Sequence, residues 1–450
     1  MTQWTMKELS GWGRFPTTRS ECALLEARAD AREMLEARDG HAILAHGMGR
    51  SYGDAALLER GRVLLTSGLD EILGFDPETG WLECEAGVTL SELIERFLPR
   101  GFFPPVLPGT QFVSVGGAIG CNIHGKNHHV DGCFGDHVRA IDLLVASGEI
   151  VRCSREVHPE LFWATVGGMG LTGVILSAQI QLYRVDSPAI EVETVRVENL
   201  DHFFEESSKS KDFTHVVSWI DTVKRGKAMG RGVMMRGRHA GSDASFDAGG
   251  VDRLASMLGK IADGKNFESN AWLNRFTITA FNEAYFRKER KGTHASTSHF
   301  APFFFPLDAV QNWNYVYGPR GFLQYQFVVP SRDAVRAALE EVTRSGQFSF
   351  LSVIKEFGDQ DHGGLSFPCE GITLAMDFPN TGAALMRLFE RLDDLVLEAG
   401  GRVYMGKDAR LSRPKMRAMY PEWVRWKEVR DEWDPERVFQ SDLGIRLGLV

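Results

Sequence analysis

A chain of 450 residues is longer than one ordinary hydrophobic core organises, and its length predicts two domains. Its 43% hydrophobic and 25% charged residues describe a globular protein, and a net charge of −9 excludes the basic face of a nucleic-acid binder. Six cysteines (Cys22, Cys84, Cys121, Cys133, Cys153, Cys369) form no C-x-x-C pair and no zinc spacing, which predicts reduced thiols. The first residues, Met1 to Glu8, lack the apolar stretch of a signal peptide, and no apolar run is long enough to span a bilayer. A cytoplasmic location is expected, with peripheral membrane contact left open.

In chain order, Glu21 to Gly40 carries apolar and alanine positions at helical spacing and predicts a helix ended by Gly40. His41 to Ala45 reads as a short buried strand feeding a first glycine cluster, His46-Gly47-Met48-Gly49-Arg50-Ser51-Tyr52-Gly53-Asp54. Val63–Thr66 and Trp81–Ala86 predict strands, and Thr89 caps a helix over Leu90–Leu98 that Gly101 ends. A second glycine-rich segment runs from Pro108-Gly109-Thr110 through Val115-Gly116-Gly117-Ala118-Ile119-Gly120 to Ile123-His124-Gly125-Lys126-Asn127. Where no Cβ intervenes, backbone N–H groups approach a phosphate closely. Two such clusters beside strands therefore predict one long diphosphate-containing cofactor held between them.

Ile141–Val145 and Ile150–Arg152 predict strands joined by the turn Ser147-Gly148. Gly168 to Gly173 matches G-x-G-x-x-G, the dinucleotide fingerprint that must open a helix. Here Val174–Leu182 alternates and is β-branched, so the glycines precede a strand, which argues against an NAD-binding Rossmann unit. Mixed short strands and helices make an α+β pattern.

Around Val185-Asp186-Ser187-Pro188 glycine clusters become rare, and a domain boundary is placed there. Beyond it, Val216–Ile220 and Leu323–Val329 predict strands, and Arg332–Arg344 a helix. Gly241–Gly250 and Lys288–Ser298 have the make-up of lids or disordered loops. Tyr404–Val450 is rich in Trp and Arg and contains Asp434-Pro435-Glu436-Arg437-Val438-Phe439.

The order and spacing of the glycine clusters resemble the flavin fold of the vanillyl-alcohol oxidase (p-cresol methylhydroxylase) type, in which such segments wrap the FAD diphosphate. Three strings narrow the match: Gly49–Asp54, Ile119–His129 and Gly406-Lys407-Asp408-Ala409-Arg410 resemble the decaprenylphosphoryl-ribose oxidase family. The similarity runs over nearly the whole chain. It implies a two-domain α+β fold: residues 1–186 as the FAD domain, completed by 403–450, and 187–402 as the substrate domain.

It also implies oxidation of the 2-hydroxyl of a polyprenylphosphoryl ribose to the 2-keto sugar, on the way to an arabinan precursor for cell-wall synthesis. A separate NAD(P)H-dependent short-chain reductase would complete the epimerisation, and a quinone is the expected electron acceptor. Covalent flavin oxidases carry His where Arg50 stands, so FAD is expected to be non-covalent. Mycobacterial members carry Cys at Ala375, two residues before Asp377, and Asn at Thr373. Two alternatives stay open: an aldonolactone or sugar-alcohol oxidase of the same fold, and a flavin-free binding protein.

Alcohol oxidation by a flavin needs an oriented C–H bond, an acceptor for the hydroxyl proton, and positive charge beside the reduced flavin. Lys407, His124 and Tyr404 are the expected catalytic residues, with Lys407 the compact point charge and His124 able to donate to the flavin or take a proton near neutral pH. By resemblance, the cofactor residues are Gly47, Met48, Gly49, Arg50, Ser51, Tyr52 and Gly53 in the first loop. Pro108, Gly109, Thr110, Val115, Gly116, Gly117, Gly120, Cys121, Asn122, His124 and Gly125 follow in the second. Gly168, Gly170, Gly173, Val174 and Ile175 make the third, and Lys407 completes the set. Substrate contacts are expected from Tyr52, Lys126, Trp219, Gln324, Gln326, Lys355 and Ala375; the two glutamines share one strand face.

His128 and His129, without acidic or Cys partners at ligand spacing, read as a hydrogen-bonded pair, and no metal is expected. Phe102–Pro105 and Ala301–Pro306 read as core, or else as a guide for a polyprenyl chain.

Overall fold

The computed structural model describes residues 3–246, 273–310, 312–360 and 362–450. The end of the expected Gly241–Gly250 loop lies outside them. The first part of the chain builds two sheets. One joins β1 (Thr5–Ser10), β2 (Thr17–Leu24), β3 (Ile43–His46) and β4 (Arg62–Leu65) in the order β1-β2-β4-β3. The strands that follow are β5 (Ile72–Phe75), β6 (Trp81–Glu85), β7 (Phe102–Phe103), β8 (Val138–Leu144), β9 (Ile150–Ser154), β10 (Val174–Gln181) and β11 (Tyr183–Arg184). Five form a second sheet, β5-β6-β10-β8-β9, while β7 pairs with β11.

Central β10 is the strand expected after the third glycine cluster, and all but two of its residues are buried. Thr89 closes a capping box with Glu92 on the helix Leu90–Phe97, as its spacing predicts.

Two expected elements differ. Glu21–Gly40 is not one helix: Thr17–Leu24 is a strand, and only Ala31–Glu36 is α-helical. In β2 the inward residues Thr18, Ser20 and Cys22 alternate with outward ones, and the strand pairs antiparallel with β1 and parallel with β4. Tertiary pairing there overrides a helical count of apolar residues. The expected loop Lys288–Ser298 is mostly strand as well, because Thr293–His299 pairs with a neighbouring strand along its length.

The rest of the chain adds β12 (Ala189–Val197), β13 (His215–Ile220), β14 (Gly232–His239), β15 (Thr293–His299), β16 (Phe322–Val329), β17 (Leu351–Phe357), β18 (Gly371–Pro379) and β19 (Arg402–Val403). These make one eight-stranded sheet, β15-β12-β14-β13-β17-β18-β16-β19. Antiparallel register sets Gln326 opposite Ala375, Ala375 opposite Val353, and Val353 opposite Trp219. Because side chains alternate between faces, Gln324, Gln326, Thr373, Ala375 and Asp377 share one face. Tyr325, Phe327, Leu374 and Met376 take the other, in a core with the helices Arg332–Ser345 and Ala383–Glu398.

The last residues of the chain return to the first sheet. Ile43 N–H donates to Val438 and Gln440 N–H to Ile43, at 2.8 and 3.0 Å. Arg430 and Asp434 pair at 3.1 Å with both side chains wholly buried. The Arg430 guanidinium also donates to the Phe439 carbonyl, and Asp434 accepts from Val438 and Phe439 N–H. Removing one partner of such a pair strands the other charge. Asp434→Ala is expected to destabilise the protein by about 3–5 kcal/mol, read as a lowered denaturation midpoint.

Candidate active site

A cavity of about 670 Å³ lies between the glycine clusters and the polar face of the eight-stranded sheet. The first loop reaches it because β3 ends at His46, and Gly47 to Tyr52 then cross its wall. Among the described residues, the backbone N–H groups of Met48, Gly49, Arg50 and Ser51 meet no protein acceptor, nor do those of Gly109 and Thr110. A run of unpaired N–H groups, with Gly49 at φ 63°, is the concave donor array that suits an anion. The second segment is fixed where Gly116 N–H donates to Ala86, and Ser114 Oγ accepts from Gly117 N–H.

Of the expected cofactor residues, five lie off the cavity wall. Gly53 packs on the Asp408 carbonyl, where an added Cβ would stand 1.7 Å from the oxygen. Gly168 packs equally closely on the Ala164 carbonyl, at 2.1 Å. Val115 and Val174 are buried in the core. Asn122 donates to Ser366 Oγ at 2.8 Å and accepts from Gly135 N–H at 2.9 Å, so its side chain ties loops together. These five shape the glycine segments without lining the cavity. Every other expected cofactor residue lines it, as do Tyr404, Lys126, Trp219, Gln324, Gln326, Lys355 and Ala375.

Three lysines open onto the cavity rather than onto bulk water. Lys407 Nζ sits 3.7 Å above the Tyr52 ring, Lys126 Nζ donates to the Phe304 carbonyl at 2.9 Å, and Lys355 Nζ donates to the Gly125 carbonyl at 3.2 Å. Desolvation lowers all three amines, Lys126 and Lys407 to about 8 and Lys355 to about 7. Lys355 is pushed further by the other two ammoniums.

His124 is held among Phe357, Phe367 and Tyr404. Burial, and then the charges of Lys355, His128 and Lys407, press its pKa well below the usual imidazole range. Both effects disfavour the protonated imidazole and so work against the proton uptake near neutral pH expected from the sequence. Its Nε2 accepts from Gln326 Nε2 at 3.0 Å. Tyr404 donates from its hydroxyl to the Cys121 carbonyl at 3.0 Å, and burial drives its phenol well up.

Sequence reasoning missed Asp377 and Asp308. Asp377, wholly buried on β18, accepts from Gln324 Nε2 at 2.5 Å. Burial lifts its carboxyl to about 7, against the Gln324 bond and Lys407, which pull it down. Asp308 lines the wall beside Arg50 and accepts from Gln111 N–H at 2.9 Å. The signal for Asp377 was its place two residues after Ala375 on one strand face; for Asp308 there was none.

His128 Nδ1 accepts from Gly358 N–H, and His129 Nε2 bonds the Phe213 carbonyl. Among the described residues Cys133, Asp136 and His362 bring ligand-type atoms within 4.8 Å of one another. There Asp136 is already committed to His362, at 2.9 Å, and to Cys133 N–H, at 2.8 Å. Phe102, Phe103, Phe303, Phe304 and Phe305 are all buried as core.

The donor loops and the enclosed cations fit FAD. Together with the mixed sheets they define an FAD-dependent oxidoreductase with the α+β fold of the p-cresol methylhydroxylase type. Residues 23–154 match the FAD binding domain family, and residues 372–447 match the D-arabinono-1,4-lactone oxidase family. The chain is 38% identical to decaprenylphosphoryl-β-D-ribose oxidase of Mycolicibacterium smegmatis, over 99% of this chain and 98% of that protein. An L-gulono-1,4-lactone dehydrogenase of Mycobacterium tuberculosis is 24% identical over 96% of this chain and 94% of its own. A Streptomyces coelicolor protein of uncharacterised function is 32% identical over 80% of this chain and the whole of its own. The chain belongs to the decaprenylphosphoryl-β-D-ribose oxidase family.

Arg50 occupies the position of the linking His of covalent flavin oxidases. Its guanidinium lies over Trp12 at 4.7 Å and donates to the Met48 carbonyl. Acid precipitation of the purified protein is expected to release its flavin entirely to the supernatant; a yellow pellet would contradict this.

Proposed function

We propose that the protein oxidises the 2-hydroxyl of a polyprenylphosphoryl-β-D-ribose to the 2-keto sugar, the first step of conversion to the arabinose form. The observation that carries this reading is the group of three enclosed lysines, whose charge calls for more anion than one cofactor loop holds. Residues 1–186 and 403–450 act as the FAD domain, and 187–402 as the substrate domain. In support, the glycine loops spring from the first two sheets, while the two glutamines, Lys355 and Trp219 stand on the third.

Bound FAD supplies the two-electron acceptor. The chain's own groups bind, orient and shield. Lys407, fixed over Tyr52, offers an ammonium to the negative charge that develops as the alcohol is oxidised. Lys355 and Lys126 meet the phosphate, and Gln324 and Gln326 offer amide oxygens to the sugar. Tyr404 and His124 wall the site, and His124 accepts from the Gln326 amide. A separate NAD(P)H-dependent short-chain reductase then reduces the ketone, and a quinone takes the electrons. No helix among the described residues is long and apolar enough to cross a membrane. Substrate is taken at the inner membrane surface by peripheral contact.

An aldonolactone oxidase is the second reading, favoured by the match of residues 372–447. A neutral lactone leaves the lysines unmet, and Arg50 and Tyr404 stand where those relatives carry His.

Anaerobic titration with farnesylphosphoryl ribose is expected to bleach the bound flavin, while free ribose and L-gulono-1,4-lactone do not. Bleaching by the lactone alone would reverse the two readings. Lys407→Ala is expected to keep its flavin and lose about 10²–10³-fold in the rate of flavin reduction, followed by stopped flow.

The lysines also set a pH dependence. Amines lowered to about 7 and 8 are charged below those values and lose charge as pH rises through them. A bound phosphate raises their pKa, so binding takes up protons. The KM for the lipid phosphate is expected to climb between pH 7 and 9, and Lys355→Met to flatten the lower part of that rise.

A further inference from the structure

Asp377 has no part in the chemistry so far. It does not line the cavity, yet it stands directly across the register from Gln324, which does. Its Oδ1 takes the Gln324 amide N–H, and its Oδ2, wholly buried, has no partner. Ionised, as it is above about pH 7, its carboxylate only accepts hydrogen bonds. It therefore selects one orientation of an amide that could otherwise turn either end to the cavity; the same amide also bonds the Tyr52 side chain, and Gln324 Oε1 is the end that Asp377 leaves for a ligand.

Gln326 is fixed in the same sense from another side. Its Nε2 donates to His124 Nε2 and to Thr373 Oγ1, at 3.0 and 3.2 Å, so its Oε1 is free as well. Two acceptors, two residues apart on one strand, thus stand in a cavity whose three lysines can only donate.

We infer that Asp377 is a positioning residue: by holding the Gln324 amide it makes Gln324 Oε1 an acceptor for a ribose hydroxyl other than the one oxidised. The inference rests on the function proposed above and adds a basis for choosing among sugars. A site built to accept a hydroxyl proton rejects the analogue that lacks it, since the buried oxygen is then left without a donor.

The test uses the holoenzyme with farnesylphosphoryl ribose and its 3-deoxy and 5-deoxy analogues. In the wild type one analogue is expected to lose about tenfold in kcat/KM. Asp377→Asn, which keeps the shape but lets the amide turn, is expected to raise KM for the ribose lipid about tenfold, with kcat within about threefold. In that variant the selected analogue should be disfavoured by less than twofold.

Gln324→Met gives a second route. Combined with Asp377→Asn it should cost no more than Gln324→Met alone, because both changes remove one interaction. Flavin content and the thermal midpoint separate these effects from misfolding. Equal handling of all three lipids by the wild type, discrimination that survives in Asp377→Asn, or additive losses in the double variant would overturn the assignment alone. A wild-type flavin that no phosphoryl ribose reduces would overturn the proposed function, and the assignment with it.

Discussion

Enclosing three ammonium groups in one cavity is the constraint around which the site is built. Each ion taken from water costs on the order of several kcal/mol unless charge or hydrogen bonds compensate. The partners on hand are modest. Lys126 and Lys355 each donate to one backbone carbonyl, and Lys407 faces a ring. Asp377 and Asp308, the carboxyls nearest them, are themselves lifted by burial and offset little. A fold that keeps such a cluster keeps it for anions. The glycine loops complement it with N–H groups left without protein acceptors among the described residues, and the second loop supplies Lys126 itself.

The architecture holds these groups still by using both faces of one sheet. Outward from β16 and β18 stand Gln324, Gln326, Thr373, Ala375 and Asp377, while Tyr325, Phe327, Leu374 and Met376 lock the same strands into the largest core cluster. Lys407 is placed differently. It follows the short β19, whose neighbour Tyr404 donates its N–H to the Gln326 carbonyl. It is then tied to the first loop, because Tyr52 N–H donates to Gly406. Arg446 completes the tie by bridging Asp54 and Asp408 at 2.8 and 2.9 Å. The chain's last helix thus fixes both the flavin loop and the lysine beside it, which is why the C-terminal segment belongs to the site though it supplies few residues to its wall.

What could be read from sequence followed from signals that are local. The glycine clusters, β10 after Gly173, the capping box at Thr89 and the glutamine face of β16 all depend on residues a few positions apart. Thr17–Leu24 failed because its alternation competes with a helical count and is decided by pairing with β1 and β4. Thr293–His299 failed because a polar edge strand has the composition of a loop. At the site, the resemblance of the glycine segments also put forward Gly53, Val115, Asn122, Gly168 and Val174, which shape the loops from behind the cavity wall. They fell short at Asp377, whose role depends on register with a strand some fifty residues away. The lowered pKa of His124 was hidden for the same reason, since it comes first from burial among aromatic rings and then from lysines, brought in by distant segments.

The division of labour inside the cavity bears on which sugars it can hold. Its cations donate, while Gln324 and Gln326 present oxygens, and Lys355, opposite Thr373 in the register, shares their sheet face. A small neutral lactone could satisfy the acceptors but would leave three ammoniums enclosed and unmet. A bare phosphate would do the reverse. A ligand that carries both a phosphate and hydroxyls meets both sets at once. Selection for a phosphorylated sugar therefore lies less in any one contact than in the pairing of charge with acceptors in one cavity. The aromatic rings of Trp219, Phe281 and Tyr285 along the same cavity extend it with apolar surface suited to whatever is attached beyond the phosphate.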